Sequence, residues 1–176
     1  KVKLGCYVDA YGSVTGDQTN NRGEMLGFIN ALKLAKSVDL LVNTCNELKA
    51  EGAFKYLFIC TDSEYTLKGA HEYYKPWKAN GWKRKDGTEP ANLDLWMEID
   101  SLLIDLTELG VVVAAGWVKG HSEITGNVIA DTNANIAHNV VLKGKKEFTE
   151  VIISPSKKYW TTAKEHSSLI NLPSGY

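Results

Sequence analysis

Apolar residues fall along this chain in two kinds of pattern. Short, nearly continuous runs occupy Leu4 to Val8, Phe54 to Cys60 and Val111 to Val118. Runs of that length, rich in β-branched and aromatic residues, predict strands buried on both faces. Between them the apolar positions repeat at helical spacing. Met25, Phe28, Ile29, Leu32 and Val38 mark a helix from about Asn21, a pattern that runs on through Leu40, Leu41 and Leu48 to a break at Gly52. A shorter helix is predicted from Ser63 to about Tyr74. Leu95, Ile99, Leu102, Leu103 and Leu106 mark another from Leu93 to Leu109, stopped by Gly110. One more spans Asn127 to about Val140, and Phe148 to Ile153 is a last apolar run. Strands alternating with helices predict an α/β fold, a mixed sheet flanked by helices.

Composition narrows this only a little. The chain has 176 residues, 44% of them hydrophobic, enough for one domain with a sizeable core. With a net charge of −1 there is no global attraction to nucleic acid or to an anionic membrane, so any such binding must use a local patch. No apolar run reaches the roughly 18 residues of a membrane span, and no membrane association is expected. Cys6, Cys45 and Cys60 are odd in number and form no CxxC, which argues against a disulfide framework and a zinc ribbon. Cys6 and Cys60 lie in predicted strands, where they are expected to pack as small apolar residues. The expected location is the cytoplasm or another reducing compartment that contains nucleic acid.

Four acids stand at element junctions. Asp9 and Asp62 follow predicted strands, while Glu24 and Asp131 lie in the opening turns of helices. Singly, Glu24 fits the N3 position of a capping box begun by Asn21, and Asp131 fits a carboxylate complementing a helix dipole. Asp9 and Asp62 are harder to explain this way, because a carboxylate at the end of a buried strand is costly to ionise without a partner. If the four converge, their mutual repulsion calls for cations. Oxygen-only ligands favour two Mg²⁺ ions, with Mn²⁺ as a substitute, and a pair of such ions splits phosphodiesters. Residues 75 to 90 form a second distinct stretch: Lys75, Lys78, Lys83, Arg84 and Lys85 interleave with Trp77 and Trp82. Lysines and arginines can neutralise phosphates while tryptophans pack on sugars.

These motifs together resemble type I ribonuclease H. The resemblance is carried by Tyr7-Val8-Asp9, Thr19-Asn20-Asn21-Arg22-Gly23-Glu24, Thr61-Asp62-Ser63-Glu64-Tyr65, Asn92-Leu93-Asp94-Leu95-Trp96 and Trp117-Val118-Lys119-Gly120-His121, with Asp131 ten positions beyond His121. It covers roughly residues 1 to 140, and the motifs occur in the family's order. It implies a ribonuclease H-like fold and a metal-dependent endonuclease that cuts the RNA strand of RNA–DNA hybrids. Asp9, Glu24, Asp62 and Asp131 then match the metal-ligand acids. His121 matches a loop histidine that assists proton transfer or product departure, a role its ordinary pKa near 6.5 suits. The stretch from Lys75 to Lys85 matches the family's basic protrusion. Thr19, Asn20, Asn21, Ser63 and Asn127 match positions lining the hybrid groove, where hydroxyls and amides can reach bases and the 2′-OH. Trp96 and Trp117 are assigned to the core. Another nuclease of the same fold acting on DNA or junctions, or a non-catalytic hybrid-binding module, are the alternative readings; a monomer is expected.

One interval departs from the family. Two antiparallel strands usually separate the first aspartate from the helix glutamate, yet here the interval from Asp9 to Glu24 is short and mostly Gly, Thr, Asn and Asp. Three arrangements account for it: a sheet reduced in its second and third strands, a segment omitted from the sequence, or a replacement strand from Phe148 to Ile153 covering the exposed edge. The expected organisation is a catalytic domain over residues 1–143 and a C-terminal extension, 144–176, packed on it.

Overall fold

The structure, a computed structural model, describes residues 5–17, 19–37, 56–120, 125–143, 149–156 and 169–171. The helical pattern expected to continue through Leu40, Leu41 and Leu48 to Gly52 lies outside the described residues. The architecture is the expected mixture of helices with parallel and antiparallel strands. Strand β1 (Gly5–Gly12) pairs antiparallel along its whole length with β4 (Thr149–Ser156), Asp9 standing opposite Ile152. Strand β2 (Tyr56–Thr61) runs parallel to β3 (Val112–Trp117), and β5 (Leu169–Asn171) adds antiparallel to the other side of β3. Residues 13–17 form no strand, so the short interval after Asp9 is accompanied by a strand on β1 that comes from far along the chain.

The expectation that β2 and β3 are buried on both faces is corrected. Ile59, Val113 and Ala115 are buried, but Cys60 is exposed and Val112 is 50% exposed. Helix α1 (Asn20–Lys36) lies against β2 and helix α4 (Leu93–Glu108) against β3, which accounts for the buried positions of these strands. Cys60 therefore does not pack as a core residue.

Helices α1 and α4 make most of the core. Met25, Phe28, Ile29 and Leu32 form a buried stripe on α1, at the spacing that puts side chains on one face. It meets Leu95, Ile99, Leu102, Leu103 and Leu106 of α4. Lys33 pairs with Glu98 at 2.7 Å and Lys36 with Asp105, joining the helices along their outer edge. Helix α4 stops in a Schellman motif: the Val111 N–H donates to the Leu106 carbonyl and the Gly110 N–H to Thr107, with Gly110 at φ +73°.

The start of α1 differs from expectation. Thr19, in extended conformation, is the cap, and its Oγ1 accepts the Arg22 N–H at 3.2 Å. Arg22 is thus at N3, and Glu24 is not a capping-box residue.

The helix after Asp62 is also longer than its sequence predicts. It consists of α2 (Glu64–Lys68), a π turn (Gly69–Tyr73) and α3 (Tyr74–Ala79). Pro76 argues for a stop near Tyr74, since proline removes an N–H and disfavours helix before it. The π turn resets the ladder so that Pro76 falls in the first turn of α3, where the N–H is not needed. At the start of the turn, Gly69 lies on the ring of Trp96, which is 0% exposed. A Cβ built on Gly69 would stand 2.1 Å from the Trp96 Cη2. Substituting Gly69→Ala should therefore overpack this contact and lower stability by about 1–3 kcal/mol. Urea denaturation measures it, and an unchanged midpoint would refute the tight approach.

Candidate active site

Asp62 follows β2 directly and is held from the neighbouring strand. Alongside it, the Val118 N–H donates to the Thr61 carbonyl at 2.9 Å, continuing the parallel pairing past the end of β3. The Trp117 indole Nε1 donates to the Asp62 backbone carbonyl at 3.3 Å. Trp117 is 41% exposed, so its assignment to the core is corrected: the polar edge of the ring is used to fix the aspartate. From helix α5 (Thr125–Leu142), the Asn127 amide Nδ2 donates to Asp62 Oδ2 at 3.3 Å. Gly120 packs against the same oxygen, and a Cβ there would stand 3.0 Å from it.

Glu24 projects from the second turn of α1. Partial burial of its carboxyl, then the negative charges of Asp62 and Asp131, push its pKa above the usual carboxylate range. Because the residue keeps open access to solvent, screening damps that shift. The electrostatic link is what matters: Glu24 on α1 feels the charge of one residue at the end of β2 and of another on α5. Among the described residues no three His, Cys, Asp or Glu side chains approach closely enough to enclose an ion. Asp9 enters only through its backbone on β1, and its side chain is outside the described residues, as is His121. Carboxylates alone repel and stand apart; a hard divalent cation is the partner this oxygen donor set fits.

Arg22 lies only two positions from Glu24, yet its charge is committed elsewhere. Its Nη1 donates to Asp94 Oδ1 at 3.0 Å, its Nη2 pairs with Asp94 Oδ2, and its Nε donates to the Thr15 carbonyl. Asp94 is held below the usual carboxylate range chiefly by this guanidinium. Nη1 also donates to Asn92 Oδ1 at 3.4 Å; Asn92, at φ +57°, caps α4. Sequence reasoning placed Arg22 within a motif but gave it no role. The available signal was its place between a helix cap and a candidate ligand.

The residues expected to bind nucleic acid are divided by the structure. Thr19, Asn20 and Asn21 are exposed at the start of α1, although Thr19 is engaged as the cap. Ser63 is only 9% exposed, and its hydroxyl caps α2, bonding the Thr66 N–H and Oγ1. Asn127 faces Asp62. Lys75 is half-buried, and Lys78 is paired with Asp100 at 2.8 Å. Trp77 stacks on Tyr73 and meets the edge of Trp96, each at 5.9 Å between ring centroids. Trp82, like Trp77, packs on the core. Lys83, Arg84 and Lys85 are exposed. A cavity of about 400 Å³, floored by Gly69, Tyr73 and Trp77, opens beneath Lys68 and Arg84.

A sequence model of the RNase H family matches residues 5–139. The chain belongs to the ribonuclease H family. Among ribonucleases H, it is 35% identical to that of Ruthia magnifica over 136 residues, 77% of this chain and 80% of the relative. It is 40% identical to that of Francisella tularensis subsp. novicida over 129 residues, 73% of this chain and 70% of the relative. In structure it resembles a type 1 RNase H that carries the type 2 active-site motif, with 21% identity and a TM-score of 0.56 over 86% of this chain and 78% of that one. It also resembles a foamy viral protease-reverse transcriptase solved in complex with an RNA/DNA hybrid, with 15% identity and a TM-score of 0.52 over 78% of this chain and 20% of that one. The fold is thus the ribonuclease H fold. The activity of this family member is hydrolysis of the RNA strand of an RNA–DNA hybrid, and the family depends on divalent metal.

The raised pKa of Glu24 has a measurable sign. Above the ordinary glutamate pKa of about 4.3, the unfolded ribonuclease H chain has lost the proton that the folded one still holds. Stability therefore falls as pH rises through that window. Glu24→Gln should raise the thermal midpoint over wild type in EDTA at neutral pH and leave it equal below the ordinary pKa. A midpoint difference independent of pH would show that the carboxylate is not strained.

Proposed function

We propose that this ribonuclease H cuts by a two-metal-ion mechanism at Asp9, Glu24, Asp62 and Asp131. The observation that carries the reading is the placement of acids from separate elements, with Asp62 fixed by Asn127 at the end of β2 and its charge and that of Asp131 both felt at Glu24. Two Mg²⁺ ions, with Mn²⁺ as substitute, would be held by these carboxylates. When bound, they supply the charge that activates water and stabilises the leaving oxygen.

The chain's own groups do the positioning. Asn127, Trp117 and Gly120 keep Asp62 in one orientation, so its free carboxylate face is set before substrate arrives. Arg22, committed to Asp94, fixes the opening of α1 and leaves the acids without a competing guanidinium. His121 serves as the proton carrier to the departing product, a role an imidazole suits. Lys83, Arg84 and Lys85 take the DNA phosphates, with Lys75, Lys78 and Trp82 building the base of that handle and Trp77 flooring the adjoining cavity. Thr19, Asn20, Asn21, Ser63 and Asn127 line the groove side. A hybrid bound to the foamy viral neighbour supports the choice of substrate.

Asp62→Asn should abolish cutting of a hybrid in Mg²⁺ while leaving hybrid affinity largely intact; cutting at the native rate would sink the two-metal assignment. Replacing Lys83, Arg84 and Lys85 by Ala should weaken hybrid binding. It should also flatten the dependence of log K on log salt by about one for each phosphate no longer neutralised. An unchanged slope in a fluorescence titration would remove these side chains from the binding surface.

A further inference from the structure

Strand β1 delivers Asp9, and its described partner lies outside the part of the chain that matches the family. The match ends at residue 139, whereas β4 is Thr149–Ser156. The pairing runs from Gly5 opposite Ser156 to Gly12 opposite Thr149. Val151, Ile152 and Ile153 give β4 its strand propensity. Pro155, near its end and opposite Cys6, is a residue tolerated on an edge strand. Residues 13–17, which follow β1, are mostly polar, contain Gly16 and form no strand to take this place. Further on, the chain returns as β5 on β3, the neighbour of the strand that Asp62 follows.

We infer that the C-terminal extension is part of the catalytic unit, with β4 acting as the positioning element for Asp9. This rests on the reading of Asp9 as a metal ligand. An unpaired β1 would present a row of free N–H and C=O groups and would hold its aspartate only through helix contacts such as those from α5. Pairing over eight residues fixes the strand's direction and register, and a slip of one residue would turn Asp9 to the opposite face.

The test uses the full chain with Val151→Pro and Ile152→Pro made separately. Adjacent residues of an antiparallel strand alternate in giving their amide to the partner, so one of the two prolines removes a bond to β1. Hydrogen exchange reports on β1 and β4 without metal, Mn²⁺ titration reports on the ligand set, and hybrid cleavage gives kcat and KM. The expected result is one variant with α1 and α4 amides still protected but β1 amides exposed. Its Mn²⁺ affinity should fall by roughly 10-fold or more, as when a metal ligand loses its support, and kcat should fall with KM near wild type. Ile152→Val should behave as wild type.

The inference is overturned if β1 stays protected in both variants, or if β1 is exposed while Mn²⁺ affinity and kcat hold. Global unfolding of both variants would also overturn it, by reducing β4 to general stability. Wild-type exchange is an independent check: β4 amides exchanging freely beside a protected β1 would end the proposal. Failure of the metal-ligand reading looks different. It would appear as wild type indifferent to divalent ions, with the β1 and β4 exchange pattern intact.

Discussion

Repulsion between like charges is the constraint around which this ribonuclease H is built. Glu24, Asp62 and Asp131 arrive from α1, the end of β2 and α5; partial burial, then the charges of Asp62 and Asp131, makes Glu24 harder to ionise. Two charges 4 Å apart repel by about 1 kcal/mol in water and by about 4 kcal/mol near a protein surface. Against this stands the α1–α4 interface, where each buried Leu, Ile, Phe or Met contributes about 1.5–3 kcal/mol. With nine such side chains facing one another, packing outweighs repulsion, and the acids can be held short of neutralisation. A hard divalent cation, on which the family depends, is the partner such an oxygen donor set fits.

Holding acids together also requires keeping protein cations away from them. Arg22 is the nearest in sequence to Glu24, and its bidentate pairing with Asp94 turns it toward the start of α4. Asp94 is largely exposed, so this pair adds little to stability. Its value is directional. With Thr15 and Asn92 it ties three segments at the start of α1, and the guanidinium is engaged away from the glutamate.

The basic stretch is anchored by the same packing. Trp96, fully buried on α4, touches Tyr65 and Trp77, while Gly69 allows the π turn to lie directly on its ring. The helix that follows Asp62 thus passes over the core and emerges as α3. From there the exposed Lys83, Arg84 and Lys85 extend into solvent on a base fixed by Trp77 and Trp82.

Local order was largely legible in the sequence. The helix from Leu93 and its stop at Gly110 follow from periodicity and one glycine, and Asp62 at a strand end follows from the apolar run before it. Four acids at element junctions could be picked out in the same way. What local patterns could not choose was left to tertiary contacts. Thr19, Asn20 and Asn21 are all competent caps, and Thr19 holds the position where Arg22 is drawn to Thr15 and Asp94. Pro76 predicts a helix end, which a π turn against Trp96 overrides. Trp117 is apolar enough for the core, yet its indole N–H finds the Asp62 carbonyl. The run 148–153 reads as a strand, and covering the exposed edge left by the short interval was one of three arrangements open to it, among which local pattern could not choose. Pairing with β1 joins residues more than a hundred positions apart, and the register of such a ladder is decided only when the chain has folded.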